Sequence, residues 1–270
     1  MVEGKREQSA CKAGLRLMNK NELEILYEDD AILVCKKPAK IATQTKRFGQ
    51  VDMESLIKNY RAKKGEAPFV GVVHRLDQPV EGVMVFGKTK AATAELSRQV
   101  RERTIGKHYY ALSMGNPQTP GAFKQTGDVS HAATVGAASE NLKPGQVGTL
   151  TDYIAFDART NVSRIVPEDR AKAEDAKKAV LDYRVAEVYE DGKILFDITL
   201  HTGRHHQIRL QFANAGFPLI GDVKYGPTIE GEKKEQQLGL CSYKIEFTHP
   251  ITKQEMTFAL DRNAVSFLKK

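Results

Sequence analysis

The chemistry of this chain is most legible in two segments, Gly71-Val-Val-His-Arg-Leu-Asp77 and Thr202-Gly-Arg-His-His-Gln-Ile-Arg209. Asp77 lies between two apolar runs, 70–73 and 82–86, directly after His74, Arg75 and Leu76. A carboxylate on a loop between buried strands can take a proton or attack a carbon, although an Asp in such a place often only stabilises a turn. If buried, it needs a cation or hydrogen-bond donors to stay ionised, and Arg209 is the candidate partner. His201 and His205 are four residues apart, the spacing of a metal-binding pair on a helix. They straddle a strand-to-helix junction, so no metal site is expected, and His206 reads as a structural hydrogen-bond partner.

The elements around these segments follow from pattern. Residues 23–27 and 31–36 read as two strands split by Glu28-Asp-Asp30. Met53, Leu56, Ile57 and Tyr60 recur at helical spacing over 52–64, and Thr89 caps a second helix running to about Thr104 through Ala92, Leu96 and Val100. Residues 107–114 read as a strand, and 179–189 with 194–200 as a hairpin turning at Asp191-Gly192. That hairpin feeds a helix starting at His205, with Ile208, Phe212 and Ala215 on one face and Gly216 then Pro218 as its stop. A last strand pair spans 242–247 and 255–260. Gly, Pro, Ser and Ala crowd 116–148 and mixed charge fills 166–178, so both read as surface connections or insertions. Residues 1–22 read as a polar leader and 23–270 as a single domain, α+β in class.

Composition narrows the function. Lys plus Arg total 41 against 34 Asp plus Glu, a formal charge of +7, which favours an acidic partner such as nucleic acid without naming one. A hydrophobic content of 41% supports a folded core and excludes disordered and fibrous classes. Cys11, Cys35 and Cys241 are widely spaced, so neither a disulfide framework nor a thiolate zinc site is indicated. No apolar run reaches the ~18 residues of a membrane span, and residues 1–22 lack the apolar stretch of a signal peptide. A cytoplasmic protein, monomeric and away from membranes, is the expectation.

Four motifs in order carry a resemblance. His74-Arg-Leu-Asp77 followed by Gly82, Lys107-x-Tyr109-x-Ala111, Thr202-Gly-Arg-x-His-Gln-Ile-Arg209 and Gly216-x-Pro218-x-x-Gly221-Asp222-x-x-Tyr225-Gly226 resemble the RluA-type RNA pseudouridine synthases. The similarity runs from Tyr27-Glu-Asp-Asp30 and Lys37-Pro38 to His249-Pro250. It implies an α+β fold with a mixed, largely antiparallel bent sheet, flanked by helices around an RNA-binding cleft. It also implies isomerisation of particular uridines in rRNA or tRNA. Asp77 would then be the catalytic carboxylate at the ribose C1′/C2′ region, held ionised and aimed by Arg209, and Tyr109 would stack on the flipped uracil. Arg75 would enter the space the uridine left and Ile208 would wall the pocket, while His74, Arg204, Lys37 and Lys107 would contact RNA. Taking a base out of a duplex costs a few kcal/mol, and aromatic stacking returns about 1–3 kcal/mol per base. Moving the sugar from uracil N1 to C5 changes no redox state, so no cofactor is implied.

Three positions depart from that pattern. Val80-Glu81-Gly82 replaces a usual Thr-Ser-Gly, Lys40 stands where glycine is usual, and His205 replaces a frequent Thr. Glu81 is expected to add negative charge beside the RNA site. Lys36, Lys37, Lys40, Lys46 and Arg47 fit either a solvated face or a phosphate-contacting strip, which spacing does not decide, and the implied function favours RNA contact. The span before Tyr27 is too short for the small RNA-binding domain that some relatives carry, so recognition is expected from the catalytic domain. The alternatives are a catalytically silent RNA-binding protein of the same fold, disfavoured by Asp77, Tyr109 and Arg209, and a chelator-sensitive metal hydrolase built on the histidines.

Overall fold

Two strands with almost unbroken apolar sequence set the architecture. In β2 (Ile32–Lys37) and β4 (Glu81–Gly87), Leu33, Cys35, Met84 and Phe86 enter one core cluster while Ile32, Val34, Val83 and Val85 enter another. Alternate side chains point to opposite faces, so a strand buried on both sides needs apolar residues at consecutive positions. The computed structural model describes residues 23–47, 49–114, 142–226 and 237–269. The other strands are β1 (Glu24–Glu28), β3 (Gly71–Val72), β5 (Gly106–Met114), β6 (Val147–Asp157), β7 (Val162–Val166), β8 (Lys177–Val188), β9 (Lys193–Leu200), β10 (Leu240–Thr248) and β11 (Glu255–Ala259). All form one 11-stranded sheet in the order β1-β2-β4-β10-β5-β9-β8-β6-β7, with β3 added to β4 and β11 to β10. Only the β4–β10 pair is parallel among the described strands, so the mixed, largely antiparallel α+β sheet stands as expected.

The helices cover both faces. α1 (Met53–Lys63) starts in a capping box between Asp52 and Ser55 and buries Met53 and Ile57 in the first cluster. α2 (Lys90–Glu102), capped by Thr89, buries Ala92 and Leu96 in the second and ends at Arg103 in the left-handed region. α3 (Gln207–Asn214) begins two residues later than the pattern indicates, because His206 has φ 56° and cannot be helical. No described helix is long and apolar enough to cross a membrane.

Residues 147–166, to which the sequence pattern assigns no element, form the β6–β7 hairpin at the sheet edge. Its alternation is masked because Val147 and Phe156 are apolar yet 70% and 50% exposed. The expected 116–148 connection falls largely outside the described residues, and Val147 and Gly148 already belong to β6. Within 166–178, one 3-10 turn at Glu168–Arg170 links β7 to β8. The polar leader, 1–22, also lies outside the described residues.

Two of the three departures acquire reasons here. Lys40 has φ 70°, a conformation that costs a residue with a Cβ roughly 1–2 kcal/mol. Lys40→Gly is therefore expected to stabilise the fold, by up to about 1 kcal/mol after glycine's greater chain entropy is counted, as read by urea unfolding. Glu81 is only 1% exposed and shares its face of β4 with Val83 and Val85. Its carboxylate accepts from Ser266 N and Oγ, both at 2.7 Å, and pairs with Lys36 at 3.7 Å. The expected negative charge thus lies on the face of the sheet away from Asp77, although it still acts on Lys37. Glu81 instead pins the Ser266–Leu268 turn to the opposite face of the sheet.

Candidate active site

The loop between β3 and β4 is held from below. Leu76 and Val80 are buried in the first cluster and raise Asp77 between them, with 30% of its side chain exposed. The Thr43 hydroxyl donates to Leu76 O at 3.0 Å and accepts from Leu76 N at 3.1 Å, and Asp77 O accepts from Val80 N at 3.0 Å. At the loop's far end Gly82, at φ 143°, leaves no space for a side chain, since a Cβ would lie 2.3 Å from Ser242 O.

Lys37 corrects an expectation. It is fully buried, and its Nζ donates to Pro38 O at 3.0 Å, Ile41 O at 2.6 Å and Gln78 O at 3.2 Å. Burial pushes this ammonium down to about 7, against the opposing pull of Asp77 and Glu81. All three hydrogens are committed to carbonyls, so it anchors the Asp77 loop and offers nothing to a phosphate. Lys36 also turns inward, donating to Ala264 O at 2.5 Å, and only Lys40, Lys46 and Arg47 of the proposed strip are exposed. Lys37→Met should cost at least about 2–3 kcal/mol in urea unfolding, because it strands three carbonyls.

Arg209 lies beside Asp77, but its tightest partner is another carboxylate. Nε and Nη2 donate to Asp222 Oδ2 and Oδ1 at 2.8 and 2.6 Å, whereas Nη1 stands 3.8 Å from Asp77 Oδ2. Burial alone would lower the guanidinium, and the Asp222 bonds reverse that and hold it above its ordinary value. Asp222 further accepts from Lys224 N and Tyr225 N, which fixes the Tyr225 ring 5.3 Å from the guanidinium. For Asp77, burial is the largest influence and raises its carboxyl. Arg209, Lys37 and Lys224 oppose it, Asp222 adds to it, and the net position is above the usual carboxylate range. Sequence reasoning gave no role to Asp222 and Tyr225, although both stood in the quoted Gly221-Asp222-x-x-Tyr225-Gly226 motif.

Tyr109 and Ile208 join the cluster that holds Leu76 and Val80, with exposures of 6% and 4%. Burial pushes the Tyr109 hydroxyl up, helped by the charge of Asp77. Tyr110, on the other face, stacks on Tyr243 at 3.9 Å. His74 is corrected: its Nε2 accepts from Val85 N at 3.2 Å, and burial keeps the ring neutral with a pKa of about 3. That ring ties the loop to β4 and leaves no charge for RNA. Arg75 is exposed and near enough to help depress His205. Lys107 and Arg204 are partly exposed, and both are depressed by burial first and by Arg103 second, a cation that no sequence signal marked. Arg103, Lys107 and Arg204 thus form a basic group near one another.

The histidines have separate partners. His201 pairs with Asp182 at 2.6 Å and His205 Nδ1 lies 2.9 Å from Ser163 Oγ, while His206 Nδ1 lies 2.9 Å from the Tyr225 hydroxyl. No group of three or more candidate metal ligands occurs among the described residues. A cavity of about 490 Å³ opens elsewhere, lined by His108, Asp182, Asp197 and Thr199. His108 and Thr199 face each other across β5 and β9 and alternate with Tyr109 and Ile198, so this cavity is on the side of the sheet away from Asp77.

The family model described as RNA pseudouridylate synthase matches residues 31–214. An uncharacterized RNA pseudouridine synthase of Bacillus subtilis is 32% identical over 233 residues, covering 86% of this chain and 66% of that protein. Ribosomal large subunit pseudouridine synthase D of Nitrosomonas europaea is 28% identical over 235 residues, covering 84% of this chain and 58% of that protein. The chain therefore spans about two thirds or less of the length of these two relatives. Human RNA Pseudouridylate Synthase Domain Containing 1 shares the fold, with a TM-score of 0.67 at 20% identity over 94% of this chain and 89% of that one. With a family match over more than half its length, laid on a sheet that brings Asp77 and Arg209 together, this chain belongs to the RNA pseudouridylate synthase family.

Proposed function

We propose that the protein isomerises uridine to pseudouridine in RNA in the cytoplasm, with Asp77 as the reacting carboxylate and large-subunit rRNA as the substrate class. The observation that carries this reading is the partly exposed Asp77 carboxylate, 3.8 Å from a guanidinium that Asp222 holds rigid. The bond from C1′ to uracil N1 breaks and a bond from C1′ to C5 forms, the C5 proton leaves, and N1 takes up a proton, so that the product is an isomer of the substrate. Asp77 serves this either by attacking C1′ or by taking the C2′ proton, and both demand its ionised form. Tyr109 and Ile208 supply aromatic and apolar surface for the extruded base. Arg75, Lys224 and the Arg103, Lys107 and Arg204 group bring positive charge toward the phosphates. The substrate class is taken from the relatives named for the ribosomal large subunit.

The test is pseudouridine mapping of rRNA transcripts incubated with and without the protein. New pseudouridines are expected, and binding without any new pseudouridine would favour the silent RNA-binding alternative. Arg103→Ala and Lys107→Ala should each reduce the salt slope of RNA binding by about 1, and Lys37→Met should leave it unchanged.

A further inference from the structure

Three hydrogen-bonding groups stand in line behind Asp77. Ser163 N, on β7, donates to the Tyr225 hydroxyl at 2.9 Å, and His206 Nδ1 lies 2.9 Å from the same oxygen. Across the imidazole, His206 Nε2 lies 3.7 Å from Asp77 Oδ2. A backbone N–H can only donate, so the phenol oxygen accepts at that contact. The phenol's own proton can go to Ser163 Oγ or to His206 Nδ1, and because Ser163 Oγ is engaged with His205 Nδ1 and O, His206 Nδ1 is the acceptor taken here. A neutral imidazole that accepts at Nδ1 carries its proton on Nε2. The ring is neutral, because burial first and then the Arg209 charge push it down to about 3.

We propose that His206 is a positioning residue for Asp77, an Nε2–H donor whose tautomer is set from the β6–β7 hairpin through Tyr225. This rests on the activity proposed above. Arg209 Nη1 and His206 Nε2 approach the same carboxylate oxygen, Oδ2, at 3.8 and 3.7 Å. Both approaches fall on Oδ2, so in this proposal Oδ1 is the oxygen that meets the sugar. A shift of about 1 Å, of the kind catalytic contacts make on substrate binding, closes both to hydrogen bonds. The hairpin seats the histidine pair as a unit: Ser163 Oγ lies 2.9 Å from His205 Nδ1, and the His205 ring is 4.2 Å from Phe156 and 3.7 Å from His206. The charged and titratable groups acting on Asp77 are Arg209, Lys37, Lys224, Asp222, Tyr109 and His206. Arg209 spends two donors on Asp222 and Lys37 spends three on carbonyls, so beside Arg209 Nη1 the His206 Nε2–H is the further donor close to Oδ2.

Tyr225→Phe keeps the ring beside Arg209 and removes the proton offered to Nδ1 together with the acceptor of Ser163 N. The assay is tritium release from rRNA transcripts carrying 5-tritiated uridine. The expected result is a kcat about tenfold lower at unchanged KM, with the acid limb of the kcat–pH profile moved upward because ionised Asp77 loses a donor. His206→Gln, which keeps an N–H near the Nε2 position, should retain more activity than His206→Ala. Nitrogen-15 NMR of the imidazoles in the folded chain gives a readout independent of turnover: His206 should be the Nε2–H tautomer in the wild type and mixed in Tyr225→Phe. An Nδ1–H tautomer in the wild type, or wild-type pH profiles in both Tyr225→Phe and His206→Ala, would overturn the proposal. If the wild type releases no tritium, the activity reading fails while the NMR still decides the tautomer.

Discussion

Asp222→Ala is expected to cost the fold about 3–5 kcal/mol in urea unfolding and to remove most of the activity. The reason is an asymmetry in buried ion pairs. Arg209 and Asp222 have side chains only 4% and 1% exposed, and their two short bonds compensate the loss of water on both sides. With Asp222 gone, the guanidinium keeps, among the described residues, only Asp77, at 3.8 Å, as a carboxylate partner, and the backbone N–H groups of Lys224 and Tyr225 lose their acceptor. Asp222→Asn retains an acceptor and should cost less. Replacing both partners by apolar residues, Arg209→Met with Asp222→Leu, should recover much of the stability while leaving activity lost, because neither charge is then stranded. A double variant as unstable as Asp222→Ala would show that the pair supports the fold by some other route.

Asp77→Asn is expected to end turnover and yet raise the melting temperature at neutral pH. In the folded chain the Asp77 carboxyl lies above its ordinary value, because burial outweighs the pull of Arg209, Lys37 and Lys224. The folded state therefore holds this proton more tightly than the unfolded chain, whose Asp titrates near about 3.9. Stability falls as pH rises from that value through the folded one, and at neutral pH ionised Asp77 is a cost that the fold bears. An amide of nearly the same shape removes the cost. The two proteins should converge in melting temperature toward about pH 4 and separate above it. The wild type's activity should in turn decline below the raised value, since either route needs the ionised form. A variant that melts lower than the wild type at pH 7 would mean that the Arg209 contact outweighs burial.

What sequence made legible was whatever depends on local pattern. Val83 to Phe86 and Ile32 to Cys35 announce strands buried on both sides, and Asp52 and Thr89 announce helix starts. The β6–β7 hairpin was hidden because Val147 and Phe156 are exposed and its alternation is therefore broken. At the site, Asp77 and Arg209 were found together, but the arrangement between them was not. Arg209 has two carboxylates in reach, and which takes the bidentate bonds depends on where the loop after α3 returns. Lys37 and His74 stand among the residues the resemblance places on RNA, and only their hydrogen bonds, from Lys37 to carbonyls and from Val85 N to His74, show that they hold the loop. Glu81 misled for a related reason. Its place four residues after Asp77 puts it near the site in sequence, while strand alternation sends its side chain to the other face.

The most direct measurement of the central claim compares tritium release from 5-tritiated uridine rRNA transcripts by wild-type protein and Asp77→Asn at matched RNA occupancy. Release by the wild type and none by the variant, with equal RNA binding, is the expected result. Equal release by both proteins would contradict the assignment of Asp77 as the reacting carboxylate.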